Sequence, residues 1–153
     1  MTPKQAQLLE HVEEILSQER TREERLQAVN RLLATNFPTF DWVGFYLVDP
    51  NQERQLVLGP YVGEPTEHTH IAFGEGICGQ AADVQATFVV DDVREEENYL
   101  ACSPDVKSEI VVPVFKDGRV VAELDIDSHS LNAFNEEDRA FLERVCERLA
   151  TLF

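Results

Sequence analysis

The stretch "EIVVPVFKDGRVVAELDID", residues 109–127, constrains the fold more than any other part of the chain. Two runs of apolar, mostly β-branched residues flank Lys116-Asp117-Gly118-Arg119. Asp-Gly is a strong signal for a two-residue hairpin turn, because both positions need positive φ. The segment is therefore expected to form an antiparallel hairpin. Strand side chains alternate between faces. Val120, Ala122, Leu124 and Ile126 share one face, and Val121, Glu123, Asp125 and Asp127 share the other. Three acids spaced two apart repel one another. A solvated face would carry them at little cost, whereas a pocket for an ammonium-bearing ligand would use them. Glu109 opens the partner strand, so antiparallel pairing brings it near the end of the same row.

Residues 4–18 place Leu8, Leu9, Val12, Ile15 and Leu16 on one helical face. "TREE", residues 21–24, reads as a capping box, with Thr21 as the cap and Glu24 reaching back. The helix behind it presents Leu26, Val29, Leu32 and Leu33, and Pro38 marks its end. The period then changes. "WVGFYLV", residues 42–48, reads as a strand, "DPNQER" as a turn, and "QLVLGPYV" as the partner strand. "THIAFG" and "TFVVDDV" are two more strand candidates. A last helix opens at Asn135, a plausible N-cap, with an apolar stripe of Phe141, Leu142, Val145, Leu149 and Leu152. Two helices, five or six strands and a closing helix predict an α+β fold. Its central, mostly antiparallel sheet carries the N- and C-terminal helices packed on it. At 153 residues, the chain is expected to form one domain spanning 1–153.

The charge balance narrows the partners. The chain has 13 Lys and Arg against 29 Asp and Glu, a formal net charge of −16. Such a surface repels phosphate, so neither nucleic acid nor an anionic membrane is expected as a partner. No apolar run is long enough to span a bilayer, and "MTPKQAQLLE" lacks the pattern of a secretory signal. A cytoplasmic setting is expected. The three cysteines are then reduced, and no C-x-x-C pair is present.

Those cysteines differ in context. Cys146 continues the apolar stripe of the last helix and reads as core. Cys102 lies in "YLACSPD", a polar loop, where packing and reactivity are both open readings. Cys78 sits in "GEGICGQAA" among Gly74, Gly76 and Gly79. That stretch reads as a tight turn followed by a short helix. A helix N-terminus would stabilise a thiolate there. The other reading is that a small residue is needed where the turn meets the sheet, and the glycines alone explain much of the motif. His68 and His70 are two apart and could join Cys78 around a metal, but one H-x-H is a weak signal. No metal and no other cofactor is expected. His11 and His129 read as surface residues.

Taken in order, "DWVGFY", "LVLGPYVG", "FGEGICGQAA", "SEIVVPV", "ELDIDS" and "FNEEDRAFLERV" resemble the GAF domain family. Within it the chain looks most like the free methionine-(R)-sulfoxide reductases, on the strength of "WVGFYLV", "GEGICG", "LAC" with the following Glu of "SEIVVP", and "LDIDS". The resemblance implies reduction of free methionine sulfoxide by a cysteine sulfenic acid and disulfide cycle. It implies that Cys102 is the nucleophile and that thioredoxin or another thiol reductant recycles it. It further implies that Glu109, Asp125 and Asp127 surround the amino and sulfoxide groups, that Trp42 and Tyr46 wall the sulfur methyl, and that the protein is a homodimer. The chain departs from the pattern at one place. Three-cysteine members carry a resolving thiol upstream of the glycine loop, and that position here is His68. Cys78 is then the candidate to resolve the sulfenic acid. The alternative is a non-catalytic GAF module that binds a small molecule or senses redox state with a partner in trans.

Overall fold

The computed structural model describes residues 1–100 and 103–153. Among the described residues four α-helices are formed: α1 (Pro3–Ser17), α2 (Arg22–Asn36), α3 (Gly76–Val84) and α4 (Glu136–Leu149). Six strands are formed: β1 (Trp42–Val48), β2 (Gln55–Val62), β3 (His70–Ala72), β4 (Phe88–Val90), β5 (Ser108–Lys116) and β6 (Arg119–Ser128). They make one sheet in the order β3-β2-β1-β6-β5-β4, and every pairing in it is antiparallel. The α+β expectation holds, with six strands. "THIAFG" and "TFVVDDV" contribute only three residues each, as the outermost strands.

Local chemistry explains the element boundaries. The Thr21 hydroxyl accepts from the Glu24 amide at 3.1 Å, and the Asn135 side chain accepts from Asp138 at 2.8 Å, so both expected caps are present. Thr2 adds a third capping box with Gln5. Asp117 and Gly118 take φ of 53° and 77°, the conformation that a two-residue hairpin needs. The turn therefore sets Lys116 opposite Arg119 and Phe115 opposite Val120, and a bulge between Val114 and Phe115 then shifts the register by one residue for the rest of the β5–β6 pair.

The two faces of the sheet do different work. Val43 and Phe45 of β1, Ile110, Val112 and Val114 of β5, and Ala122, Leu124 and Ile126 of β6 face α1, α2 and α4. They pack with Leu26, Val29, Leu33, Phe141, Leu142, Val145 and Leu149 in the main core. Cys146 belongs to it, with its Sγ 3.7 Å from the Val112 carbonyl oxygen, which bears out its reading as core. Leu152, expected on the α4 stripe, lies instead in a closing 3₁₀ turn and is half-buried. The opposite face carries a second cluster that includes Trp42, Tyr46, Leu56, Ile71, Ile77, Cys78 and Val111. Here α3 is the covering helix.

Between β1 and β2 the register slips by one residue, where Gly44 meets Tyr61 but Tyr46 meets Leu58. A bulge of this kind needs partners for the backbone groups it frees. α2 supplies them: Asn30 Nδ2 donates to the Pro60 carbonyl at 2.9 Å, and Gln27 Nε2 donates to that of Tyr61 at 3.0 Å. Gly44 has no side chain because the Trp42 ring lies where one would be. A Cβ there would stand 2.6 Å from both Trp42 Cη2 and Tyr61 Cβ.

Gly44→Ala is therefore expected to overpack this place and cost about 1–3 kcal/mol of stability. Trp42 is the chain's one tryptophan. A urea midpoint shift accompanied by a change in tryptophan emission would support the assignment. Unaltered emission and stability would contradict it.

Candidate functional site

The site is built on the face opposite the main core. Pairing places Trp42 opposite Asp127, Gly44 opposite Asp125, and Tyr46 opposite Glu123. On the other flank, Glu109 lies opposite Asp127, Val111 opposite Asp125, and Pro113 opposite Glu123. Directly opposed residues share a face of the sheet. The acidic row of β6 thus runs between an aromatic strand and a strand that adds a fourth acid. Each of these acids is buried: Glu109 is 4% exposed, Asp125 1%, and Glu123 and Asp127 0%. The row is no solvated face, which leaves the pocket reading of the sequence.

The aromatic wall is fixed at its polar ends. Trp42 Nε1 donates to the Glu64 carbonyl at 3.0 Å, and Tyr46 Oη donates to that of His68 at 2.9 Å. The Trp42 ring stacks on Tyr61 at 5.3 Å and on Tyr46 at 6.4 Å between centroids.

The glycine loop closes the site from above. Gly76 takes φ of +63°, and a Cβ there would strike Leu100. A Cβ on Gly79 would lie 2.5 Å from the Ala72 carbonyl oxygen, so the start of α3 sits directly against β3. Asn98 ties the following segment to this loop. Its Oδ1 accepts from the Gly76 amide at 3.0 Å, and its Nδ2 donates to the Gly74 carbonyl at 2.7 Å. Gln80 Nε2 adds a donation to the Asn98 carbonyl at 3.2 Å. Sequence reasoning missed Asn98, whose only signal was one amide among acids in "REEENYL". It also left Glu123 out of the binding set, although alternation had placed it in the row.

A small cavity of about 10 Å³ lies between Tyr46, His68, Cys78, Leu100, Glu109 and Asp125. That is room for one water-sized occupant. One ligand atom from each of Cys78, Glu109 and Asp125 lies within 4.8 Å of the others. Hydrogen bonds from Glu109 and Cys78 to Asp125 favour its charged form, but burial outweighs them and raises its pKa. Burial also raises Glu123 well above the ordinary carboxyl range, and the charge of Asp125 adds to that. Neither carboxyl oxygen of Glu123 has a hydrogen-bond partner among the described residues.

Cys78 corrects one expectation. It lies in the first turn of α3, where the helix dipole was expected to favour a thiolate. Its pKa is instead raised well above normal, first by burial and then by Asp125, Glu109, Glu123 and Asp127. Four carboxyls outweigh one short helix terminus. The two histidines of the H-x-H are not brought together around Cys78. His68 lines the cavity, but His70 lies beside a separate cavity of about 610 Å³ with Leu47, Val57, Arg119 and Phe153. That larger cavity contains none of the sequence-predicted site residues. Trp42, Tyr46, Cys78, Glu109, Asp125 and Asp127 are thus assembled on one face. Cys102, the predicted nucleophile, lies outside the described residues.

Comparison with known proteins places this arrangement. A GAF domain family model matches residues 19–153. The chain is 41% identical to GAF domain-containing protein A of Dictyostelium discoideum, over 93% of this chain and 87% of that one. It is 32% identical to the free methionine-R-sulfoxide reductase of Escherichia coli, over 81% of this chain and 73% of that one. The structure of free methionine-R-sulfoxide reductase from Neisseria meningitidis in complex with its substrate superposes with a TM-score of 0.91. It is 38% identical, over 100% of this chain and 92% of that one. Among the described residues no helix is long and apolar enough to cross a membrane.

The buried row predicts a specific pH dependence of stability. The folded protein holds the Glu123 proton that the unfolded chain releases near the ordinary value of 4.5. That stabilisation is complete below this value and is lost as pH rises through the higher folded-state value. Glu123→Gln keeps the shape and cannot titrate. Across roughly pH 5 to 8 its melting temperature should fall less steeply than that of the parent protein, with Asp125 leaving a residual slope of the same sign. Equal slopes in thermal melts followed by circular dichroism would refute the assignment.

Proposed function

The chain belongs to the GAF domain family and is similar to the free methionine-R-sulfoxide reductases within it; on that premise, we propose that it reduces free L-methionine-(R)-sulfoxide to methionine. The observation that carries this reading is the juxtaposition of a buried acidic row with the Trp42–Tyr46 wall. Methionine sulfoxide brings an ammonium group, which buried carboxylates attract, and a methyl on sulfur, which suits an aromatic surface.

The proposed chemistry runs in three balanced steps. The Cys102 sulfur attacks the sulfoxide sulfur while a neutral carboxyl protonates the sulfoxide oxygen. Asp125 suits that role, because burial raises its pKa and so favours its protonated form. The protonated oxygen departs from the Cys102–substrate sulfur adduct as water, and water then attacks the Cys102 sulfur, so that the S–S bond breaks, methionine leaves and Cys102 becomes a sulfenic acid. The Cys78 thiol then condenses with it, releasing water and forming a disulfide. A dithiol such as thioredoxin restores both thiols. Asp127 and Glu109 would complete the cage around the ammonium group. Cys78 shares its cavity with Leu100, two positions before Cys102 in the chain. That proximity in sequence supports Cys78 as the resolving thiol where His68 replaces the family's cysteine. An amino acid needs far more room than the cavity offers, so Leu100 and the Asn98-tied segment must give way on binding. A homodimer in a reducing cytoplasm completes the proposal.

The second reading, a binding module without turnover, draws on the raised pKa of Cys78, which makes it a slow thiol at neutral pH. The two readings separate in one assay. Reduced protein, dithiothreitol and each epimer of L-methionine sulfoxide are mixed, and methionine is counted. Turnover of the R epimer, cut about a thousandfold or more in Cys102→Ser, is the expected result. Binding of the sulfoxide with no methionine formed would instead establish the module.

A further inference from the structure

The acidic row holds more buried donors than one ammonium group requires. We propose that Cys78, Glu109 and Asp125 form a binding site for a single zinc ion, which occupies the empty protein and excludes the sulfoxide. The exclusion rests on the function proposed above; the metal site does not.

Several observations converge on it. One thiol and two carboxylate oxygens lie within 4.8 Å of one another. Around a tetrahedral zinc ion such atoms stand about 3.3–3.5 Å apart, given Zn–S near 2.3 Å and Zn–O near 2.0 Å. A modest contraction closes the difference. The three donors come from β5, β6 and the first turn of α3, each packed into a core cluster or the main sheet. The cavity between them has the volume of one water or one ion.

A second feature points to an occupant independently of the cluster's spacing. Asp125 Oδ1 faces no hydrogen-bond partner among the described residues, although Asp125 is 1% exposed and lines the cavity. One pleat away, both oxygens of Glu123 are in the same condition. A buried polar atom of this kind calls for a partner such as a water, an ion or a ligand. No Lys or Arg is among the described residues lining the cavity, so a cation would meet no repulsion there. The donor set selects the metal. A thiolate favours zinc, whereas calcium and magnesium demand six or more oxygens. Zinc would be held by the deprotonated forms of Cys78, Glu109 and Asp125, releasing the protons they hold, with no change in oxidation state.

Cobalt(II) is the probe, because a thiolate on cobalt gives a near-ultraviolet charge-transfer band. Reduced full-length protein should show the band and saturate it at one equivalent. Cys102→Ser and Cys146→Ser should retain it. Cys78→Ser should lose it, and Glu109→Gln should bind at least about tenfold more weakly. Far-ultraviolet circular dichroism checks each fold, and if Cys78→Ser does not fold, Glu109→Gln and Asp125→Asn carry the same test. A parent protein without the band, a band surviving in folded Cys78→Ser, a band lost in Cys102→Ser, or unchanged affinity in Glu109→Gln would overturn the site. In the cobalt-loaded Cys102→Ser variant, added L-methionine sulfoxide should bleach the band. A band that persists while the parent protein turns over the sulfoxide would overturn the exclusion. A persisting band with no turnover by the parent protein would overturn the proposed function and leave the metal site standing.

Discussion

Ala122, Leu124 and Ile126 are drawn into the helical layer on one side of β6, and the pleat then has no choice but to send Glu123, Asp125 and Asp127 to the other. Each buried Leu or Ile side chain is worth about 1.5–3 kcal/mol against exposure. A slip of one residue would take all three apolar side chains out of the main core and drive the acids into the helices. The main core therefore fixes the register, and the register fixes the site. The acids take the opposite face as a consequence of the position of the core rather than by any attraction of their own.

Most of this architecture is legible in the sequence because it is local. The Asp117-Gly118 turn, the caps at Thr21 and Asn135, and the alternation along β6 each depend on a few adjacent residues. Alternation also gave the membership of the acidic row, and the order of the strands brought Glu109 to its end. The aromatic wall came from the family resemblance, but its i,i+4 spacing on one strand is visible in "WVGFYLV".

What was hidden depends on contacts distant in sequence. Whether the acidic row faces water or protein is decided by α3, which lies far from β6 in the chain. The same four carboxyls reverse the expectation for Cys78, since a helix terminus was visible locally and its acidic neighbours were not. Asn98 could not be recognised as a clamp, because its partners at Gly74 and Gly76 are defined only by the folded loop. The β1–β2 bulge was equally silent, although Gly44 and Pro60 mark its two sides.

The sheet ends on either side in strands of only three residues, β3 and β4. An outermost strand offers its unpaired amides and carbonyls as a template to any other extended chain, and the length of that template sets the hazard. Three residues present very little of it. The long strands rich in Val and Ile, β1, β5 and β6, all lie inside the sheet with neighbours on both sides. Those are the segments most prone to cross-β stacking when left open. Together with the mutual repulsion of chains at −16, this arrangement keeps folded molecules from joining edge to edge, even at the high concentrations of a crowded solution.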